Sequence, residues 1–191
     1  MTIRYVSNAD GKGWLTVKYS SNGSTYPPLP QLLKVEFLKT ENRRDYFRIL
    51  EGKNRGKEAS VTRKSNRASY LGNGSHRGSA KVVFDISGKT LSYQGKTITA
   101  ETQASNPPPK GTYDLEIPYE VHALGRTYTG SSKYATTWFR IGHSGDRFLH
   151  PGRFSAGCVT VKALDKWTDL YLYLIKSRKG DLKSVGTIQI K

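Results

Sequence analysis

Apolar and polar residues alternate along this chain in short runs, broken repeatedly by glycine, proline and asparagine. Residues 13–20 (GWLTVKYS) alternate as a half-buried strand does, and SNGS at 21–24 reads as the turn after it. Tyr26-Pro27-Pro28-Leu29-Pro30 is an extended connection with its backbone fixed by proline. Residues 32–38 (LLKVEFL) and 45–50 (DYFRIL) form a pair of strands across a polar turn, and 58–63 (EASVTR) is a third. Further on, 80–86, 89–93 and 96–101 read as a meander with glycine turns. A rigid loop, Asn106-Pro107-Pro108-Pro109-Lys110-Gly111, leads into a strand at 112–117, with more strands expected at 119–123, 126–129 and 137–142.

After Val161 the period changes. Leu164, Trp167, Tyr171, Leu174 and Ile175 recur at helical spacing and predict an amphipathic helix over 164–178. Asp165 and Asp169 suit its positive end, Lys176, Arg178 and Lys179 its negative end, and Gly180 stops it. A strand at 185–190 follows. The fold class is therefore mainly β with one helix in the C-terminal half. Gly72-Asn73-Gly74-Ser75-His76-Arg77-Gly78, with three glycines in seven residues, is the best linker. It divides the chain into a β-rich N-terminal region, 1–79, of unassigned role, and a second domain, 80–191.

At 191 residues and 36% hydrophobic, the chain can bury a core in each part. Charge adds more: the net charge is +16, with residues 1–80 at +9 and 81–191 at +7. A field of that sign gathers polyanions such as nucleic acid, anionic membrane surfaces or bacterial wall polymer, and does not choose among them. No apolar run reaches the length of a membrane-spanning helix. The opening MTIRYVSNADGKGW has no apolar signal-peptide core, so work outside the cytoplasm implies a specialised secretion route or a leader not in this sequence.

Chemistry concentrates in one segment. Cys158, the only cysteine, lies in FSAGCVTV at 154–161. Two readings stay open for it, a small buried apolar residue and a nucleophile. A nucleophilic thiol needs a proton acceptor and oxyanion donors. Of the four histidines, His143 and His150 fall within fifteen residues upstream, and the intervening loop is rich in glycine. His143 at a strand end is the expected base, and His150 before Pro151 is expected as an exposed loop residue and a candidate for substrate binding. Gly157 permits the tight turn that aims backbone N–H groups at an oxyanion. Ser155 is placed to bond the loop or orient the base; Arg147 and Arg153 to lower the thiol pKa and attract a carboxylate. Tyr113, Tyr128, Tyr134 and Trp138 are candidates for a cleft wall or for the core. His143 and His150 lack a third ligand at metal-binding spacing, so neither a metal nor a cofactor is expected.

His143 followed by Ser155-Ala156-Gly157-Cys158-Val159 resembles the signature of the L,D-transpeptidase (YkuD-like) catalytic domain. The likeness extends over about 80–191, through the Pro-x-Gly-x-Tyr approach at 109–113, the helix and the last strand. Ala156 stands where that family often has His, Thr160 where it often has Arg, and His143 is followed by Ser144-Gly145. The resemblance implies a β-sandwich or barrel and a Cys158 thioester formed on peptidoglycan stem peptides. It implies transpeptidation, D-amino-acid exchange or L,D-carboxypeptidase action in the periplasm. Divergent relatives delivered as type VI secretion toxins fit the missing signal peptide and imply an immunity protein or secretion apparatus as partner. The competing readings are a basic nucleic-acid-binding or ribonuclease-like toxin, which lacks an RNA-binding aromatic signature, and a non-catalytic wall-binding module.

Overall fold

A computed structural model describes residues 1–7, 9–19 and 27–191. The turn expected at 21–24, Ser20 and Tyr26 lie outside the described residues. The chain divides into two compact units, one of residues 1–76 with 119–121, the other of 77–118 with 122–191. Strands dominate both, and the single α-helix lies in the C-terminal half, so the class is mainly β as the pattern predicts.

The first unit contains β1 (Thr2–Val6), β2 (Trp14–Leu15), β3 (Lys18–Tyr19), β4 (Leu29–Pro30), β5 (Lys34–Glu41), β6 (Arg44–Ile49), β7 (Glu58–Thr62) and β8 (Leu71–Gly72). Six of them form an antiparallel sheet in the order β3-β7-β6-β5-β1-β8, while β2 pairs with β4. Alternation decides which face is buried: Val35, Phe47 and Ile49 are fully enclosed while their strand neighbours are not. One buried charge, Asp45, is matched by Arg63 at 2.9 Å and by the hydroxyls of Thr40 and Ser69. β1 is a strand that the alternation did not announce.

The second unit holds β9 (Ala80–Asp85), β10 (Thr90–Tyr93), β11 (Lys96–Glu101), β12 (Gly111–Glu116), β13 (Phe139–Arg140), β14 (Phe148–Pro151), β15 (Val159–Val161) and β16 (Ser184–Ile190), with α1 (Trp167–Ile175) between the last two. Their order is β12-β16-β9-β10-β11-β15-β14-β13. The sheet curls until its two outermost strands touch: Leu115 bridges Ile141, and the Gly142 N–H donates to the Asp114 carbonyl at 2.7 Å. It is a nearly closed barrel, which leaves little unpaired edge.

The helix is shorter than its apolar spacing predicts, because Leu164–Lys166 forms a 3₁₀ turn and the α-helix stops at Ile175. Its buried face carries Trp167, Leu170, Tyr171, Leu174 and Ile175. Each such side chain contributes roughly 1.5–3 kcal/mol on burial. Trp167 Nε1 donates to the Tyr134 carbonyl at 3.0 Å, and the Tyr134 and Tyr171 rings stack at 4.0 Å, which makes Tyr134 a core residue. The strands expected at 119–123 and 126–129 are absent. Ala123–Tyr128 is instead a 3₁₀ helix, closed by i→i+3 bonds from Gly125 N–H to the His122 carbonyl and from Thr129 N–H to that of Arg126. Local bonds satisfy the backbone there without a partner strand. Among the described residues no helix is long and apolar enough to cross a membrane.

Candidate active site

Cys158 sits at the entrance to β15, and β15 runs parallel to β14, with Leu149 opposite Val159 and His150 opposite Thr160. Parallel neighbours ordinarily need a long crossover. These strands are four and three residues long, so residues 152–158 suffice for the return. The return is pinned at three points. Arg147 donates through Nη1 to the Gly157 carbonyl at 2.8 Å and through Nη2 to Asn106 Oδ1 at 2.8 Å. Ser155 Oγ donates to the Cys158 carbonyl at 2.8 Å. Tyr128 OH accepts from the Arg153 N–H at 3.2 Å.

Glycine at 157 is required twice over. Its φ is +97°, and a Cβ there would lie 2.8 Å from Asn106 Nδ2 and 2.9 Å from the Asn106 carbonyl oxygen. Because a trans peptide points its C=O and N–H in opposite directions, the Arg147 bond to the Gly157 oxygen turns the Cys158 N–H away from Arg147.

The thiol is buried, at 8% exposure, and donates weakly to the Asp146 carbonyl at 3.7 Å. Burial pushes its pKa up. A hydrogen bond from the Phe148 backbone and the Arg147 charge pull the other way without overcoming it, and Asp146 adds to the rise. Arg147 thus acts on the thiol in the expected direction but is outweighed. Arg153 does not act on it: its side chain is exposed, and its carbonyl accepts from Lys162 Nζ.

The two histidines part company. His143 is exposed and turned toward carboxylates at the seam between β12 and β13: Nε2 lies 3.3 Å from Asp114 Oδ2 and 3.2 Å from Ser184 Oγ, and Nδ1 lies 3.8 Å from Glu116. The thiol is not among its partners. His150, expected as an exposed loop residue, is instead buried at 5% exposure inside β14. Its Nδ1 lies 3.0 Å from the Pro151 carbonyl and its Nε2 3.1 Å from Thr160 Oγ1, which assigns the proton to Nδ1 and makes Nε2 the acceptor. Its ring stacks on Trp138 at 4.2 Å, and Trp138 stacks on His122 at 4.4 Å. Burial drives the His150 pKa from its ordinary 6.5 to about 4, so the imidazole is neutral.

Strand alternation links His150 to the nucleophile candidate. His150 and Thr160 meet side chain to side chain, and Cys158 precedes Thr160 by two residues, as Phe148 precedes His150. The Phe148 backbone contact with the sulfur agrees with that register. His150 and Thr160 thus share one face of the β14–β15 pair, and Cys158 lies two residues before Thr160, in the bend that enters β15.

Trp138 is half-buried and committed to the His122–His150 stack, with Nε1 donating to the Ala135 carbonyl at 3.0 Å. Tyr113 is half-buried on β12 with its hydroxyl toward the Lys110 carbonyl. Sequence reasoning missed Asn106, Asp114 and Ser184, whose partners lie tens of residues away and leave no local signal. It also missed a potential metal group: Asp114, His143 and Asp181 place ligand atoms within 4.8 Å of one another. The Lys179 ammonium, 2.6 Å from Asp114 Oδ1, already supplies a positive charge there.

No protein-family model matches the chain, and no curated protein matches it. Among solved structures it is similar to the crystal structure of L,D-transpeptidase 1 from Mycobacterium tuberculosis. Identity is 19%, the TM-score 0.38, and the match covers 59% of this chain and 58% of the other. It is also similar to an L,D-transpeptidase from Mycobacterium tuberculosis H37Rv, at 12% identity and TM-score 0.37, over 93% of this chain and 76% of the other. The chain thus spans less than two thirds of the first of these proteins.

Proposed function

We propose that the second unit is a cysteine acyltransferase acting on peptidoglycan stem peptides, with Cys158 as nucleophile. The observation that carries this reading is the position of Cys158 directly after a positive-φ glycine and two residues before Thr160, whose hydroxyl meets a neutral imidazole. The match of Ser155-Ala156-Gly157-Cys158-Val159 to the L,D-transpeptidase signature names the substrate class.

In this reading Cys158 Sγ attacks the carbonyl of the L-centred third residue of a tetrapeptide stem. The raised thiol pKa and the lowered His150 pKa both disfavour a standing thiolate–imidazolium pair. Proton transfer therefore accompanies attack, with His150 rather than His143 as acceptor. The Cys158 N–H, oriented by the Arg147 bond to Gly157, donates to the oxyanion. The C–N bond to D-alanine breaks, the amine takes the proton, and a thioester remains on Cys158. An amine acceptor resolves it to a cross-link or an exchanged D-amino acid; water resolves it to a free carboxylate. The basic charge suits an acidic wall polymer.

Purified disaccharide tetrapeptide incubated with the chain and read by mass spectrometry separates these products. Loss of D-alanine, a cross-linked dimer or an exchanged residue is expected, each abolished by Cys158→Ala at unchanged melting temperature. Full turnover by Cys158→Ala refutes the proposal. We place the reaction outside the cytoplasm as an antibacterial activity: expression directed to the periplasm of a test bacterium arrests growth, cytoplasmic expression does not, and Cys158→Ala is harmless in both.

A further inference from the structure

The first unit contains a cavity of about 480 Å³, within the range of about 300–1,000 Å³ typical of ligand clefts. Its wall is chemically mixed. Trp14, Leu15, Val17 and Val61 supply apolar surface, Thr16, Ser60 and Thr62 hydroxyls, and Lys18, Arg44 and Lys64 positive charge.

The charges set this cavity apart from the rest of a basic surface. Of the carboxylates of the first unit, six in residues 1–76 and Glu120, Asp10 alone lines the cavity among the described residues. Glu41 pairs with Lys39, Glu36 and Glu58 with Arg48, and Asp45 with Arg63. Glu51 accepts from the Lys34 backbone, and Asp10, the one acid in the wall, accepts from the N–H groups of Lys12 and Trp14. Asn8 and residues 20–26 contribute no acid by sequence. Arg44 is held by hydroxyls alone, Ser60 Oγ at 3.0 Å and Thr62 Oγ1, so its guanidinium is oriented but not neutralised. Lys64 lies over the Tyr70 ring at 5.2 Å. Trp14, 3% exposed, has an indole N–H without an acceptor among the described residues.

We infer that this cavity is a binding site for a carboxylate-bearing saccharide segment of an anionic polymer. The three cations Lys18, Arg44 and Lys64 outnumber the one acid in the wall, Asp10, and call for an anion, and the hydroxyls match a polyol. Nucleic acid fits less well. Base stacking needs an open aromatic face, whereas Trp14 is buried and Lys64 covers Tyr70. The inference deepens the wall-polymer reading only in its choice of probe; the binding itself does not require Cys158.

The test uses the full chain carrying Cys158→Ala and calorimetric titration with three probes: a disaccharide tetrapeptide from peptidoglycan, the same disaccharide without peptide, and trigalacturonate. Saturable binding is expected, weakened about ten- to a hundred-fold by Arg44→Gln and by Lys64→Gln. Arg126→Gln, which removes an equal charge from the other unit, should leave affinity within two-fold. Melting curves of the variants exclude unfolding as the cause. Tighter binding of the disaccharide without peptide, whose lactyl carboxylate is free, than of the disaccharide tetrapeptide, whose lactyl carboxyl is an amide, assigns recognition to the sugar carboxylate, and binding of trigalacturonate alone keeps the cavity site while separating it from the wall reading. Binding of none of the three overturns the inference, as does equal weakening by Arg126→Gln or displacement by an oligonucleotide of matched charge. Loss of muropeptide turnover by Cys158→Ala with this binding intact keeps the two proposals separately testable.

Discussion

Replacing Gly157 with alanine tests whether the turn before Cys158 is built as described. Two costs add. A left-handed φ of +97° costs an L-residue about 1–2 kcal/mol. The new methyl would also meet Asn106 at 2.8 and 2.9 Å, one of those atoms a backbone oxygen, an overpacking that costs about 1–3 kcal/mol. The sum is about 2–5 kcal/mol. At about 4 °C per kcal/mol for a unit of this size, melting should fall by roughly 8–20 °C. Gly95 supplies the internal standard: its φ is +74° and nothing lies within 4 Å of a Cβ there. Gly95→Ala should lose only the backbone part, about 1–2 kcal/mol. Calorimetric melts of the three chains give the comparison. If Gly157→Ala melts no lower than Gly95→Ala, the contact with Asn106 does not exist as described, and the oriented Cys158 N–H loses its support.

Three further outcomes follow from the site. His150→Gln should lower muropeptide turnover about 10²- to 10⁴-fold, the usual share of a general base, while His143→Gln changes it less than ten-fold; the reverse ranking in initial-rate assays would restore His143 as the base. Because the folded His150 titrates near 4 and the unfolded one near 6.5, only the unfolded chain binds that proton between these values, so stability falls as pH drops through that window. The full loss is about 3 kcal/mol, read by denaturant titration at pH 7 and pH 4, and should be largely absent from His150→Gln. Alkylation of Cys158 by iodoacetamide should rise with pH only above the ordinary thiol range, because burial holds the proton on sulfur; a plateau already reached at pH 7 would contradict the burial argument.

Much of the strand pattern was legible because one face of each sheet is buried. The alternation in 32–50 marks β5 and β6, which pair across a turn at Asn42 and Arg43. The helix was legible from its apolar spacing, though not its ends, since hydrophobic period does not distinguish 3₁₀ from α turns. β14 escaped notice because His150 and Pro151 read as loop residues. What buries them is the parallel pairing with β15, a contact set by three-dimensional packing. The same blind spot bears on the choice of base. His143 lies fifteen and His150 eight residues before Cys158 in a glycine-rich segment, and spacing alone does not tell that His150 is buried against Thr160, two residues after the thiol. The Asp114 and Ser184 partners of His143 lie 29 and 41 residues from it, beyond the reach of any local pattern.

The sheet order of the second unit also bears on how the protein is made. β16, the last strand in sequence, lies in the interior of the sheet, antiparallel to β12 on one side and parallel to β9 on the other. Until β16 has emerged from the ribosome, β9 and β12 therefore have no common neighbour, and two strand edges stand open. The curl that brings Leu115 to Ile141 must wait for Ser184–Ile190 to emerge. Synthesis of this unit is thus a period of exposure to aggregation that ends only once β16 is free to pair, and a chain cut short before Ser184 should be a substrate for chaperones and proteases rather than a smaller version of the fold.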